Sequence, residues 1–213
     1  MKHIPHVVIG APWDNDVLDV SIVQWRHLTK VLRLGRGDQI TYTDGLGVIG
    51  HGRLGSGQTV ERGEETGVPR TTELTVAVAA PAHKDRQRFL VEKLAELGVA
   101  RLQWLKSTHG KGRVPAAPKV FSWVLAAVEQ SRGAWIMETG STLLGWDDLD
   151  GPVLVCNTNG DGAITSVRTV VVGPEGGWGE GEIPPGLATW SLGPTVLRTE
   201  TAAIVAAGRI LAS

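Results

Sequence analysis

Two glycine-rich turns, each leaving an apolar β run, dominate the C-terminal part of the chain: VVVGPEGGWGEGE (Val170 to Glu182) and WSLGPTVLRTETAAIVAAGRIL (Trp190 to Leu211). Val170-Val171-Val172 reads as a buried strand that Gly173-Pro174-Glu175-Gly176-Gly177 cannot continue. Pro174 presets one turn dihedral, and the glycines accept positive φ and leave no Cβ to block a ligand. The second segment repeats the design as a short strand, a Gly193-Pro194 turn and a helix. Thr199 is the expected N-cap of that helix, and Glu200 sits at its positive end. Taken alone, GPEGG is an ordinary turn, and LGPTVLRTETAA is a strand, a turn and a capped helix. Side by side, the two loops form a cradle for a small flat ligand at the carboxyl edge of an α/β sheet.

The chain has 213 residues, enough for one or two domains at ~100–200 residues each. With 42% apolar and 20% charged residues it reads as soluble and globular. No apolar run approaches the roughly 18 residues of a membrane span. The start, MKHIPHVVIG, lacks the apolar stretch and cleavage site of a signal peptide, so a cytoplasmic location is expected. The single cysteine, Cys156, excludes an internal disulfide and a multi-cysteine zinc site, and no metal is expected. Net charge is only −1, but it is segregated. Residues 81–135 carry a net +6, residues 136–213 a net −6, and no acid lies between Leu97 and Val128. Such a stretch is either a footprint for phosphate or a solvated basic surface.

Turn spacing and β-type alternation mark the first ~70 residues as a small β-rich module. His6 to Ile9 and Gln39 to Thr43 suit strands, and Asp44-Gly45 turns the chain into a third, Gly47 to Leu54. SIVQWRHLTKVLRL predicts one helix with Ile22, Trp25, Leu28 and Leu32 on a single face. GLGVIG at 45–50 matches a dinucleotide fingerprint in spelling only, because strand and turn follow it rather than a helix. A polar linker then places a boundary near Pro69. From Glu73 the pattern becomes α/β: LTVAVAA strand, RQRFLVEKLAELG helix, RLQWLK strand, KVFSWVLAAVEQS helix and VLVCN strand, before the two glycine loops.

GPEGG followed by LGPTVLRTETA closely resembles the signature of the 16S ribosomal RNA uridine N3-methyltransferases, a family of the knotted SPOUT class that uses S-adenosylmethionine. VEKLAELGV, with Lys93, Glu96, Leu97, Gly98 and Val99, and Glu129-Gln130-Ser131 resemble further segments of that family. HLTKVLRLGRGDQI resembles its N-terminal PUA-like RNA-binding domain, with Arg33 and Gly37-Asp38 in matching places. The resemblance implies a PUA-like β-barrel over residues 1–69. Over 70–213 it implies a SPOUT α/β domain with a trefoil knot and a largely parallel sheet. It further implies a homodimer acting on 16S ribosomal RNA within the small ribosomal subunit, and the last helix has small residues (Ala202, Ala203, Ala206, Ala207, Gly208) that permit close packing. Three departures touch the site. Ser107-Thr108-His109-Gly110 stands where an arginine is usual, with Lys111 and Arg113 as substitutes. Arg132 sits one position early. Pro184-Pro185 interrupts a usual helix.

Carried over residue by residue, the resemblance assigns the cofactor to Val155, Cys156 and Asn157, to Gly173, Pro174, Glu175, Gly176 and Gly177, and to Leu192, Gly193, Val196, Leu197, Arg198 and Ala202. RNA contacts fall on Arg33, Lys106, His109, Lys111, Arg113 and Arg132. Uridine N3 carries a proton at neutral pH, so either a base removes it, with Glu175 or Glu200 as the candidate, or an electropositive site stabilises the anion as it forms. Glu200 also suits a helix-dipole partner. Arg198 either steadies negative charge on the uracil oxygens or pairs with Glu175 or Glu200. Cys156 reads as a small buried filler rather than a nucleophile. His3 and His6 have no third metal ligand within reach. Two other readings stay open: a knotted methyltransferase with a different RNA target, and an RNA-binding ribosome-assembly protein without catalysis.

Overall fold

The structure, a computed structural model, describes residues 4–213, and these form two units. The first comprises residues 4–71 together with Val128–Ile136. Strands β1 (His6–Val8), β2 (Val17–Asp19), β3 (Gln39–Thr43), β4 (Val48–Leu54), β5 (Thr59–Glu61) and β6 (Glu65–Gly67) make one mostly antiparallel sheet in the order β1-β3-β4-β5-β2, with β6 also on β4. The turn at Asp44 forms as expected, its carboxylate accepting from Leu46 N at 2.7 Å and Val48 N at 3.0 Å. Alternation buries Ile40, Tyr42, Leu54 and Val60 in the core, and Trp13 meets Tyr42 edge-on at 5.1 Å.

The expected helix after Ser21 is shorter and changes pitch. Helix α1 (Ile22–Arg26) has a capping box between Ser21 and Gln24, then passes into a π-helical turn over His27–Val31. That widening breaks the 3.6 phase on which the four-residue face rested. Leu28 is fully buried and Trp25 packs on the core, but Ile22 (49% exposed) and Leu32 (39%) face solvent.

The boundary expected near Pro69 omits a return of the chain. Thr43 Oγ1 donates to Ala134 O (3.1 Å), Trp135 Nε1 donates to Val68 O (3.0 Å), and Glu129 Oε1 accepts from Val8 N (3.2 Å). The Glu129-Gln130-Ser131 element therefore anchors the N-terminal sheet. Arg132, expected on RNA, is exposed and donates to Ile4 O at 2.8 Å.

In the second unit, β7 (Thr75–Ala79), β8 (Arg101–Leu105), β9 (Glu138–Leu144), β10 (Val153–Cys156), β11 (Thr169–Val172) and β12 (Ala188–Trp190) pair in the order β12-β10-β11-β7-β8-β9. Every pairing in this sheet is parallel. Strands β7 and β11 are buried at every position, which accounts for their unbroken apolar sequence. Helix α2 (Lys84–Glu96) buries Gln87, Leu90, Val91, Leu94 and Ala95, the stripe its period predicts. Helix α3 (Ala117–Ser131) continues into the segment that belongs to the first unit. Helix α4 (Thr199–Leu211) buries Ala202, Ala203, Ala206 and Ala207, and packs on α2, β7 and β11. Its small face is thus filled by its own chain and supplies no argument for a dimer.

Candidate functional site at the ends of three parallel strands

The order β12-β10-β11 brings three carboxyl-terminal strand ends together, at Cys156, Val172 and Trp190. The segments that leave them enclose a cleft of about 490 Å³. Asn157 and Thr158 line it from β10, Gly173, Pro174, Glu175 and Gly177 from β11, and Ser191, Leu192 and Gly193 from β12. Val196, Leu197, Thr199 and Ala202 close the side toward α4.

Local chemistry fixes the walls. Gly193 has φ +141°, backbone that other residues adopt only under strain, and open space where a side chain would stand. At Gly173 a Cβ would lie 2.9 Å from the Trp178 ring, so only glycine lets that indole fold back. Trp178 lines the cleft, donates from Nε1 to Cys156 O (3.0 Å) and stacks obliquely on Trp146 at 5.2 Å. Thr199, expected as an N-cap, does not cap: Arg198 occupies that position without a side-chain bond. Thr199 Oγ1 instead donates to Gly173 O (3.0 Å) and fastens α4 to the first glycine loop. No helix forms between β11 and β12, where Pro184-Pro185 lie.

The charged groups cluster on the α2 side. Arg86 places Nη1 3.4 Å from Glu175 Oε1 and Nε 3.7 Å from Glu200 Oε1. Glu175 reaches the cleft, whereas the Glu200 side chain is 8% exposed and its Oε2 has no hydrogen-bond partner among the described residues. Burial pushes the Cys156 thiol up to about 12, so it stays protonated and is no nucleophile. Arg198 is exposed and makes no ion pair among the described residues, so neither Glu175 nor Glu200 is its partner.

Of the residues expected around the cofactor, Val155 lies in the core and does not line the cleft. Gly176 faces away, with its Cβ position 3.0 Å from the His109 Cβ, and Arg198 also stands off the lining. The others expected there do line it. Lys106, His109, Lys111 and Arg113 are exposed on the segment between β8 and α3. His109 Nδ1 donates to Gly177 O at 3.2 Å. Arg33 is exposed at φ +56° just after the π-helical turn. His6 spends both ring nitrogens, on Thr41 Oγ1 (2.8 Å) and Gly133 O (3.2 Å), and His3 lies outside the described residues.

Three positions went unread in the sequence. Trp178 was signalled only by its place directly after GPEGG. Arg86 needed the fold to meet its two carboxylates. Glu182 looked like one more acid in a polar loop, yet it accepts from Thr108 N (2.7 Å) and Gly179 N (2.6 Å). Burial is the largest single influence and works against its charged form, but the hydrogen bonds it accepts together outweigh burial and hold its carboxyl below the ordinary glutamate value.

Comparison with known proteins gives this geometry a context. The chain is 27% identical over 222 residues to the ribosomal RNA small subunit methyltransferase E of Synechocystis, covering 90% of this chain and 71% of that one. The crystal structure of the ribosomal RNA small subunit methyltransferase E of Neisseria gonorrhoeae, bound to S-adenosyl methionine, superposes with a TM-score of 0.85 at 26% identity, covering 99% and 98% of the two chains. A methyltransferase from Legionella pneumophila, in complex with the same cofactor, shares the fold with a TM-score of 0.85 at 24% identity over 99% and 98%. Residues 69–211, which hold both glycine loops and the whole parallel sheet, match the RNA methyltransferase domain, and the chain belongs to that family.

Proposed function

We propose that this protein methylates N3 of a uridine in 16S ribosomal RNA, with S-adenosylmethionine as methyl donor. The observation that carries the reading is the cleft framed by both glycine loops at the ends of β10, β11 and β12. Its residues fit the cofactor. The volume lies within the ~300–1,000 Å³ usual for small-molecule sites. Bare backbone at Gly193, with open space where a side chain would stand, admits a flat ring edge, and Leu192, Leu197 and Trp178 offer it apolar surface. When bound, S-adenosylmethionine supplies a methyl group already activated by its sulfonium.

The chain's own groups divide the remaining work. Glu175, at the cleft and held by Arg86, accepts the N3 proton. Arg198, free of a carboxylate partner, steadies the negative charge that spreads to the uracil oxygens. Cys156 stays a neutral wall, and the nitrogen attacks directly. Lys106, Lys111 and Arg113 meet phosphate on a stretch whose sequence holds no acid between Leu97 and Val128, and Arg33 offers a further phosphate contact on a PUA-like first unit. The reading also includes a trefoil knot in the second unit, a homodimer and a cytoplasmic enzyme acting on the small subunit. Among the described residues no helix is long and apolar enough to cross a membrane.

The test is nucleoside mapping of 16S RNA from cells lacking the protein, with methyl transfer restored in vitro by the pure protein. Loss and recovery of one N3-methyluridine supports the proposal. A different modified nucleoside assigns another RNA target, and no cofactor binding leaves an RNA-binding protein without catalysis.

A further inference from the structure

We propose that Glu182 is a positioning residue that locks the basic segment after β8 to the wall of the cleft, so that RNA held on one sets the geometry of the other. The inference rests on the proposed function, in which that segment binds RNA and the cleft binds the cofactor. One carboxylate grips two loops: Oε1 accepts from Thr108 N at 2.7 Å and Oε2 from Gly179 N at 2.6 Å. Gly179 lines the cleft, and Thr108 lies between Lys106 and Lys111. A second fastening runs beside it, from His109 Nδ1 to Gly177 O.

Charge-assisted bonds of this length are about twice as strong as neutral ones. They take up the carboxylate's charge, so it does not compete with phosphate for Lys106, Lys111 and Arg113. None of those three cations makes an ion pair among the described residues. The loops that Glu182 joins are otherwise irregular backbone, and once the clasp opens only the longer, neutral His109–Gly177 bond still couples them.

Glu182→Gln isolates this role. The amide oxygen accepts from one N–H, but the NH₂ group meets the other donor to donor. Amide hydrogen exchange at Thr108 and Gly179 is read first, since it needs neither ligand; both are protected in the wild type and at least one is released in the variant. Calorimetry then measures S-adenosylmethionine affinity with and without a saturating 16S ribosomal RNA transcript. In the wild type RNA raises cofactor affinity about tenfold, within the usual range for coupled sites. In E182Q that ratio falls to about one while each ligand still binds alone. If E182Q does not fold, E182D serves, because its shorter carboxylate cannot span both N–H groups. A wild type without coupling, or a folded variant with coupling unchanged, overturns the proposal. A wild type that binds no cofactor or no RNA overturns the functional reading beneath it.

Discussion

Replacing Arg86 by glutamine tests whether the two carboxylates beside the cleft depend on one guanidinium. Glu200 is buried, and among the described residues Arg86 is its sole cation, at 3.7 Å, with Oε2 already unpartnered. Two unit charges at 4 Å attract by about 4 kcal/mol at an effective dielectric of 20. Removing one partner of a buried pair costs about 3–5 kcal/mol, because the remaining charge stays desolvated. Arg86 is 29% exposed and its contact is long, which lowers the figure. The contact to Glu175, 36% exposed at 3.4 Å, adds no more than about 1 kcal/mol. The expected loss is about 2–3 kcal/mol. At roughly 2–4 °C per kcal/mol for a chain of this size, the melting temperature falls by roughly 4–12 °C. Scanning calorimetry reads that shift, and the double variant R86Q/E200Q makes the argument specific. With the buried charge gone, losing Arg86 costs little more, so the double variant is more stable than R86Q alone. An R86Q protein melting within a degree of wild type refutes the reasoning, as does a double variant whose losses simply add.

Gly193→Val combines strained backbone, about 1–3 kcal/mol, with a side chain pointed into open cleft, so calorimetry should show S-adenosylmethionine binding lost. Gly176→Val meets His109 instead and should weaken binding far less; equal effects would displace the cleft. Arg198→Ala should cut single-turnover methylation at saturating cofactor severely while leaving the melting curve in place, since no ion pair is lost, and lysine should rescue poorly. Replacing Lys106, Lys111 and Arg113 together should flatten the salt dependence of RNA binding and spare cofactor affinity; an unchanged slope moves the RNA surface elsewhere. Glu182 has a folded pKa below its ordinary 4.5, so its stabilisation is full above that value and fades as pH falls through the lower one. The melting temperatures of wild type and E182Q should therefore converge below pH 4.5.

What sequence made legible divides along physical lines. Buried parallel strands such as TVAVA and TVVV announce themselves because both faces are apolar, and α2 does so by its 3.6 period. Strand β9 did not, since ETGSTLL is a largely exposed edge with no face to bury, and its pairing to β8 shifts register between Leu102 and Trp104. The cleft was readable wherever glycine, proline and chain order set backbone shape. It was unreadable wherever a side chain's partner comes from a distant element. Thr199 illustrates the difference. Local rules make it a cap, yet Gly173 O lies within its reach only because α4 returns beside β11, and that tertiary bond wins. Arg198 is the converse case. Local rules offer it Glu200 two residues on, but α2 brings Arg86 to that carboxylate first. Among the described residues this competition leaves Arg198 without a carboxylate partner, which is why Arg198→Ala probes its role with no salt bridge to lose.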